Sequence, residues 1–67
     1  MPGFEEESAE FRRPIDLKGA ERFRRIAGIG PAYEALEDRG DYIRVRVIET
    51  DEEFDYRKAD AELDPPA

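Results

Sequence analysis

Two groups of residues have types and spacing suited to chemistry. The first is cationic: Arg22, Arg24 and Arg25 run into the corner Gly28-Ile29-Gly30-Pro31. Guanidinium groups beside a glycine-rich turn with unpaired backbone amides are suited to hold a phosphate oxygen. The second is anionic, the run Asp51-Glu52-Glu53. Its carboxylates could meet a divalent cation, but consecutive acids lack the ligand spacing of a calcium loop, and a solvated turn is the plainer reading. The chain has no histidine and no cysteine. The usual general base, the commonest neutral metal ligand and any thiolate nucleophile are therefore missing. No P-loop, dinucleotide fingerprint or nucleophile elbow is present. The chain reads as a non-enzymatic protein with no catalytic residue, cofactor, metal site or small-molecule substrate.

Charge sharpens this reading. Of the 67 residues, 43% are charged, with 18 acids against 11 bases and a net charge of −7. Such a surface does not attract phosphate generically, because bulk nucleic-acid binding needs cationic surface. The distribution is uneven. Residues 1–11 carry Glu5, Glu6, Glu7 and Glu10 and no base, while Arg12, Arg13, Lys18, Arg22, Arg24 and Arg25 face only Asp16 and Glu21. The island can neutralise the chain's own acidic flanks or bind an anionic partner.

The elements that must position these residues follow from periodicity. Residues 1–14 read as an extended acidic arm, broken by Pro2-Gly3 and Pro14 and bearing Phe4 and Phe11, aromatics whose place in a polar arm implies docking. Leu17, Ala20, Phe23, Ile26 and Ala27 recur at spacings of three and four, predicting a helix from Asp16 to a stop at Gly28. Pro31 opens a second short helix, with Ala32, Tyr33, Ala35 and Leu36 as its packing surface and Arg39-Gly40 as its end. The period then changes to two: Ile43, Val45 and Val47 alternate with Arg44 and Arg46, predicting a strand over Tyr42–Ile48. Thr50 to Glu53 is the expected turn, and Phe54 to Lys58 returns antiparallel with Tyr56 opposite Val47. A hairpin alone is marginal in water and needs cover, from the helix pair or from another chain's sheet edge. Residues 59–67, with Asp60, Glu62, Asp64 and Pro65-Pro66, read as an acidic, proline-rich tail.

Ile26-Ala27-Gly28-Ile29-Gly30-Pro31, followed by Leu36, resembles the helix-hairpin-helix motif over Leu17 to Gly40. That resemblance implies a turn whose amides contact a nucleic-acid backbone without sequence preference. The phosphate contacts would fall on Gly28, Gly30 and the amides of Ala32 and Tyr33, with Arg22, Arg24 and Arg25 supplying attraction.

The expected fold is therefore α+β: two short helices (16–40) joined by the Gly-Ile-Gly-Pro turn, a β-hairpin (42–58), and extended arms at 1–14 and 59–67 around one small domain, 15–58. A chain this short buries only about 60% of its unfolded surface. The expected function is a structural or interaction subunit of a larger assembly, a virion or capsid-associated protein, contacting protein partners through Phe4, Phe11, Tyr42, Phe54 and Tyr56. Sequence-independent nucleic-acid binding is the alternative, and an acidic DNA mimic the second alternative. The first residues lack the basic and apolar regions of a secretory signal, and no apolar run approaches the roughly 20 residues that span a bilayer. The expected location is a virion or a prokaryotic cytoplasm, with no membrane partner.

Overall fold

The computed structural model describes residues 12–67. Its centre is a four-stranded antiparallel sheet in sequential order: β1 (Phe23–Arg25), β2 (Ala32–Asp38), β3 (Tyr42–Val47) and β4 (Glu53–Arg57). An α-helix, α1 (Lys58–Leu63), follows β4, and 3-10 turns at Ala20–Arg22 and Ile26–Gly28 bracket β1. β3 is the strand that its alternation predicts. Ile43, Val45 and Val47 are buried on one face while Arg44 and Arg46 lie on the other.

The covered face holds the core. Tyr33, Ala35, Ile43, Val45 and Ala61 are buried together, with Ile15, Leu17, Ile26, Phe54 and Tyr56 packed against them. α1 lies over this face and contributes Ala61. Its start is tied to the β2–β3 turn, where Lys58 N donates to Asp41 O at 2.9 Å. Residues after α1 run beside β1: Arg25 N donates to Pro65 O (3.0 Å), Ala67 N to Phe23 O (3.2 Å), and Arg24 bridges Pro66 antiparallel. One edge of the sheet is thus closed by prolines, and β4 is the other edge.

The two-helix reading is overturned. Residues 16–19 are a turn, residues 20–28 form β1 and its flanking 3-10 turns, and residues 31–40 hold β2, so the Gly-Ile-Gly-Pro corner joins two strands and not two helices. β2 hides its period. Tyr33 and Ala35 pair with Val47 and Val45, then Leu36 is an extra residue and pairing resumes at Glu37 with Arg44. That bulge places apolar Tyr33, Ala35 and Leu36 at positions that also fit a helix face. The hairpin is correct in strand content and in its apolar face, but not in register. Its turn is Ile48–Asp51, closed by Val47 N to Glu52 O (2.7 Å), so Tyr56 lies opposite Ile43 and Phe54 opposite Val45. The C-terminal stretch, expected as an extended tail, contains α1 and the segment beside β1.

Of the expected N-terminal arm, residues 1–11, including Phe4 and Phe11, lie outside the described residues. The following segment is docked: Arg13 N donates to Glu62 O at 2.7 Å, and Ile15 and Leu17 touch the core. Among the described residues, no helix is long and apolar enough to cross a membrane.

Candidate functional site

The three arginines of the basic island go to three different surroundings. Arg24 pairs across from Tyr33 on the covered face and is fully buried. Its Nη1 donates to Ala61 O (2.7 Å), its Nη2 to Pro14 O (2.8 Å) and its Nε to Glu21 O (2.5 Å), while Glu21 Oε1 stands 3.7 Å from Nη2. Arg24 joins three chain segments and presents nothing to solvent. Arg22 lies across the Phe23 ring, 4.3 Å from its centroid, and donates to Glu34 Oε2 at 3.1 Å. Arg25 remains exposed and folds over the β1–β2 loop, donating from Nη1 to Gly30 O at 3.0 Å.

That loop, Ile26 to Pro31, is closely constrained. Gly30 N and Ile29 N both donate to Ile26 O (2.7 and 3.2 Å), and Ile26 N donates to Pro31 O (3.2 Å). Ala27 adopts φ 51, a left-handed conformation uncommon for a residue with a side chain, and Gly28 follows at φ 79. Gly30 is needed for a different reason: a Cβ there would fall 2.9 Å from Ile26 O. The strain at Ala27 persists because its amide is held from below, donating to Asp64 Oδ1 at 2.9 Å.

Asp64, just beyond α1, is buried and serves three donors. Its Oδ2 accepts from the hydroxyls of Tyr33 (2.7 Å) and Tyr56 (3.0 Å) while Oδ1 holds the loop. The two rings meet edge to face at 5.5 Å. Burial, and then the Asp64 carboxylate, pushes both hydroxyls well above the usual tyrosine range. These hydroxyls keep their protons at neutral pH and act as fixed donors.

At the summit of the loop, Ile29 exposes 92% of its surface, the most of any large apolar residue described. The loop therefore presents one bare aliphatic side chain on a backbone fixed by glycines, four backbone hydrogen bonds from Ile26, Ala27, Ile29 and Gly30, and the Arg25 side chain.

Of the residues expected to contact phosphate, Gly28 and Gly30 lie in this loop with Arg25 folded over it, while Arg22 is turned to Glu34 and Arg24 is buried. The Gly30 amide is spent on Ile26 O, and Ala32 and Tyr33 are inside β2 between β1 and β3. Of the expected partner-binding aromatics, Tyr42 is exposed at the start of β3, whereas Phe54 and Tyr56 are half-buried against the chain's own core. The acids of the β3–β4 turn have partners within the chain: Asp51 accepts from Arg46 (3.1 Å) and Glu53 from Arg44 (3.4 Å). Among the described residues, no group of three or more carboxylates is placed to hold a metal ion. A depression of about 440 Å³ beside the β2–β3 turn is lined by mixed charges, including Asp41, Arg57 and Glu62, and its Lys58 is already bonded to Asp38 (2.9 Å).

Asp64 carries no sequence signal beyond its place before Pro65-Pro66. Ile29 does carry one, as an apolar residue isolated between two glycines. Compared with known proteins, the chain matches no family model, no curated protein and no solved structure.

Proposed function

We propose that this chain is a non-enzymatic interaction subunit that docks a protein partner through the β1–β2 loop, with Ile29 as the anchor. The carrying observation is the pairing of near-complete exposure of Ile29 with a fixed backbone. Scattered exposed aliphatics are ordinary on protein surfaces. Here the side chain sits where the chain has spent two glycines, a strained alanine and a buried carboxylate to hold one loop shape. Burying an isoleucine on docking contributes about 1.5–3 kcal/mol. A preformed loop loses little conformational freedom in doing so, which leaves more of that gain as affinity.

The chemistry of the surrounding groups supports a binding role. The chain has neither histidine nor cysteine, and the two tyrosines nearest the loop are held as protonated donors by burial and by Asp64. The setting we infer is a larger assembly, a virion or capsid-associated complex, in which the acidic arm with Phe4 and Phe11 supplies further contacts.

The test is site-specific photocrosslinking in an extract of the source cells or virions, with p-benzoyl-phenylalanine replacing Ile29 and, as a control, exposed Thr50. A single saturable adduct from position 29, competed by unlabelled wild-type chain but not by Ile29→Asp, is the expected result. Equal labelling from both positions, or competition by Ile29→Asp, would remove Ile29 as the anchor.

A further inference from the structure

The two edges of the sheet are treated in opposite ways. Beside β1, the Pro65–Ala67 segment occupies the edge, and two successive residues without N–H groups end any further pairing there. Among the described residues, β4 has no proline, no bulge and no segment paired along its outer side. The register fixes which of its backbone groups are free. Val47 N donates to Glu52 O and Lys58 N to Asp41 O, so the even-numbered residues Phe54 and Tyr56 bond to β3. The amides and carbonyls of Glu53, Asp55 and Arg57 therefore point outward.

We propose that β4 pairs antiparallel with β4 of a second copy of this chain about a two-fold axis at Asp55, making one continuous eight-stranded sheet. In that register Glu53 of each copy faces Arg57 of the other, and the three outward residues are those that exchange both hydrogen bonds. The charges fit. Arg57 makes no ion pair among the described residues, and Glu53, half-exposed, has only the 3.4 Å contact to Arg44. The two Asp55 carboxylates meet at the axis, but each is already flanked by Arg39 (3.4 Å) and Arg44 (3.5 Å) of its own chain. On the covered face Phe54 comes opposite Tyr56 of the second copy, and both are half-buried aromatics with surface left to cover. This contact lies on the edge of the sheet farthest from β1 and does not depend on the role of Ile29.

Sedimentation of the full chain at low salt, over about 1 μM to about 1 mM, reads the association constant directly. The wild type is expected to pass from monomer to dimer and go no further, since the two-fold contact closes on itself. Glu53→Arg and Arg57→Glu each place like charges opposite one another twice per dimer and are expected to weaken association about tenfold or more. An equimolar mixture of the two single variants, or the double variant E53R/R57E, restores the opposite-charge pairs and should recover association to within about threefold of wild type. Asp55→Pro removes an N–H that β3 does not use, and is expected to leave the far-UV circular dichroism unchanged while abolishing the dimer. A monomer throughout the wild-type series would overturn the proposal. So would a dimer indifferent to Asp55→Pro, or a mixture of the single variants no tighter than either alone. Association of the wild type only with a different protein would show that the edge serves another occupant and would equally overturn it.

Discussion

The two faces of the sheet use the same chemical groups for different ends. On the covered face Arg24 and Asp64 are buried, one bonded to three backbone carbonyls from separate segments, the other to two hydroxyls and an amide. On the open face charges alternate across the strands. Glu34 lies between Arg22 and Arg46, Arg46 reaches Asp51, and Arg44 reaches Glu53 and Asp55. The difference lies in access to water. A partner removed on the open face is replaced by solvent, whereas one removed on the covered face leaves a desolvated group with nothing to replace it. Each open-face pair therefore contributes little by itself, and the buried groups fix the chain's arrangement. The candidate interaction loop belongs to the buried system, since its amide at Ala27 ends on Asp64.

The largest break in this contrast should come at Arg24. Arg24→Met keeps much of the aliphatic stem but strands the carbonyls of Pro14, Glu21 and Ala61. Removing one partner from a buried charged network costs about 3–5 kcal/mol. A small domain has about 5 kcal/mol of stability at the lower end of the usual range. Arg24→Met is expected to be largely unfolded at 25 °C by circular dichroism, and a cooperative urea transition close to wild type would show that the covered face is not organised around this residue.

Next comes Asp64→Ala, which leaves the Tyr33 and Tyr56 hydroxyls and the Ala27 amide without their acceptor. About 2–4 kcal/mol is expected from urea denaturation, on the scale of about 1–3 kcal/mol for each stranded buried group, partly recovered as the site relaxes. The effect should also be local. Amide hydrogen exchange at Ala27, Ile29 and Gly30 should speed up more than at Val45. Uniform acceleration would mean that Asp64 supports the fold without holding the loop.

These two residues also show what the sequence could and could not reveal. β3 was legible because Ile43, Val45 and Val47 alternate without interruption, and a half-buried strand has no other way to arrange them. β2 was not, because Ala32, Glu34, Ala35, Leu36 and Glu37 favour helix locally and the bulge at Leu36 breaks the alternation. Pairing with β3 on one side and β1 on the other overrides that preference. The first segment misled for a related reason: Phe23 and Ile26 share a helical spacing, yet Phe23 belongs to a three-residue strand and Ile26 to the turn after it. α1 was missed because six residues bury only Ala61 and leave no stripe to read. The corner at Gly28-Ile29-Gly30-Pro31 was visible as a corner, but its flanking elements and its clamp on Asp64 depend on contacts distant in sequence. Arg24 is indistinguishable from Arg25 in the sequence, and strand parity alone sends one inward and the other out.

A smaller effect separates the buried face by pH. In the unfolded chain tyrosine ionises near pH 10. In the folded chain burial and Asp64 hold Tyr33 and Tyr56 protonated well above that. The stability they confer is complete below about pH 10 and is lost as pH rises from there toward the folded-state values. Thermal melts between about pH 8 and pH 11 should fall steeply for wild type and less steeply for Y33F/Y56F. At neutral pH Tyr33→Phe alone should cost about 1–2 kcal/mol, since Asp64 keeps its other donors. Parallel alkaline slopes for the wild type and the double variant would place the alkaline loss elsewhere.

The smallest effect belongs to the open face and gives the sharpest test of the contrast. Hydrogen bonds from Arg46 (2.8 Å) and then Arg22 (3.1 Å) hold the Glu34 carboxyl below its usual range. Its contribution is therefore present above the ordinary glutamate value and is lost as pH falls through the lower folded-state value. Glu34→Gln should flatten the acid limb of the stability profile and, near neutral pH, cost about 1 kcal/mol or less, as solvent-accessible pairs do. Salt separates the two faces most directly. In about 1 M NaCl, where charges are screened over about 3 Å, the Glu34→Gln cost should shrink toward zero while the Asp64→Ala cost stays nearly constant, because salt does not reach a buried carboxylate bonded to hydroxyls and an amide. Equal salt sensitivity of the two variants would mean that water reaches both faces alike, and the distinction between them would fail.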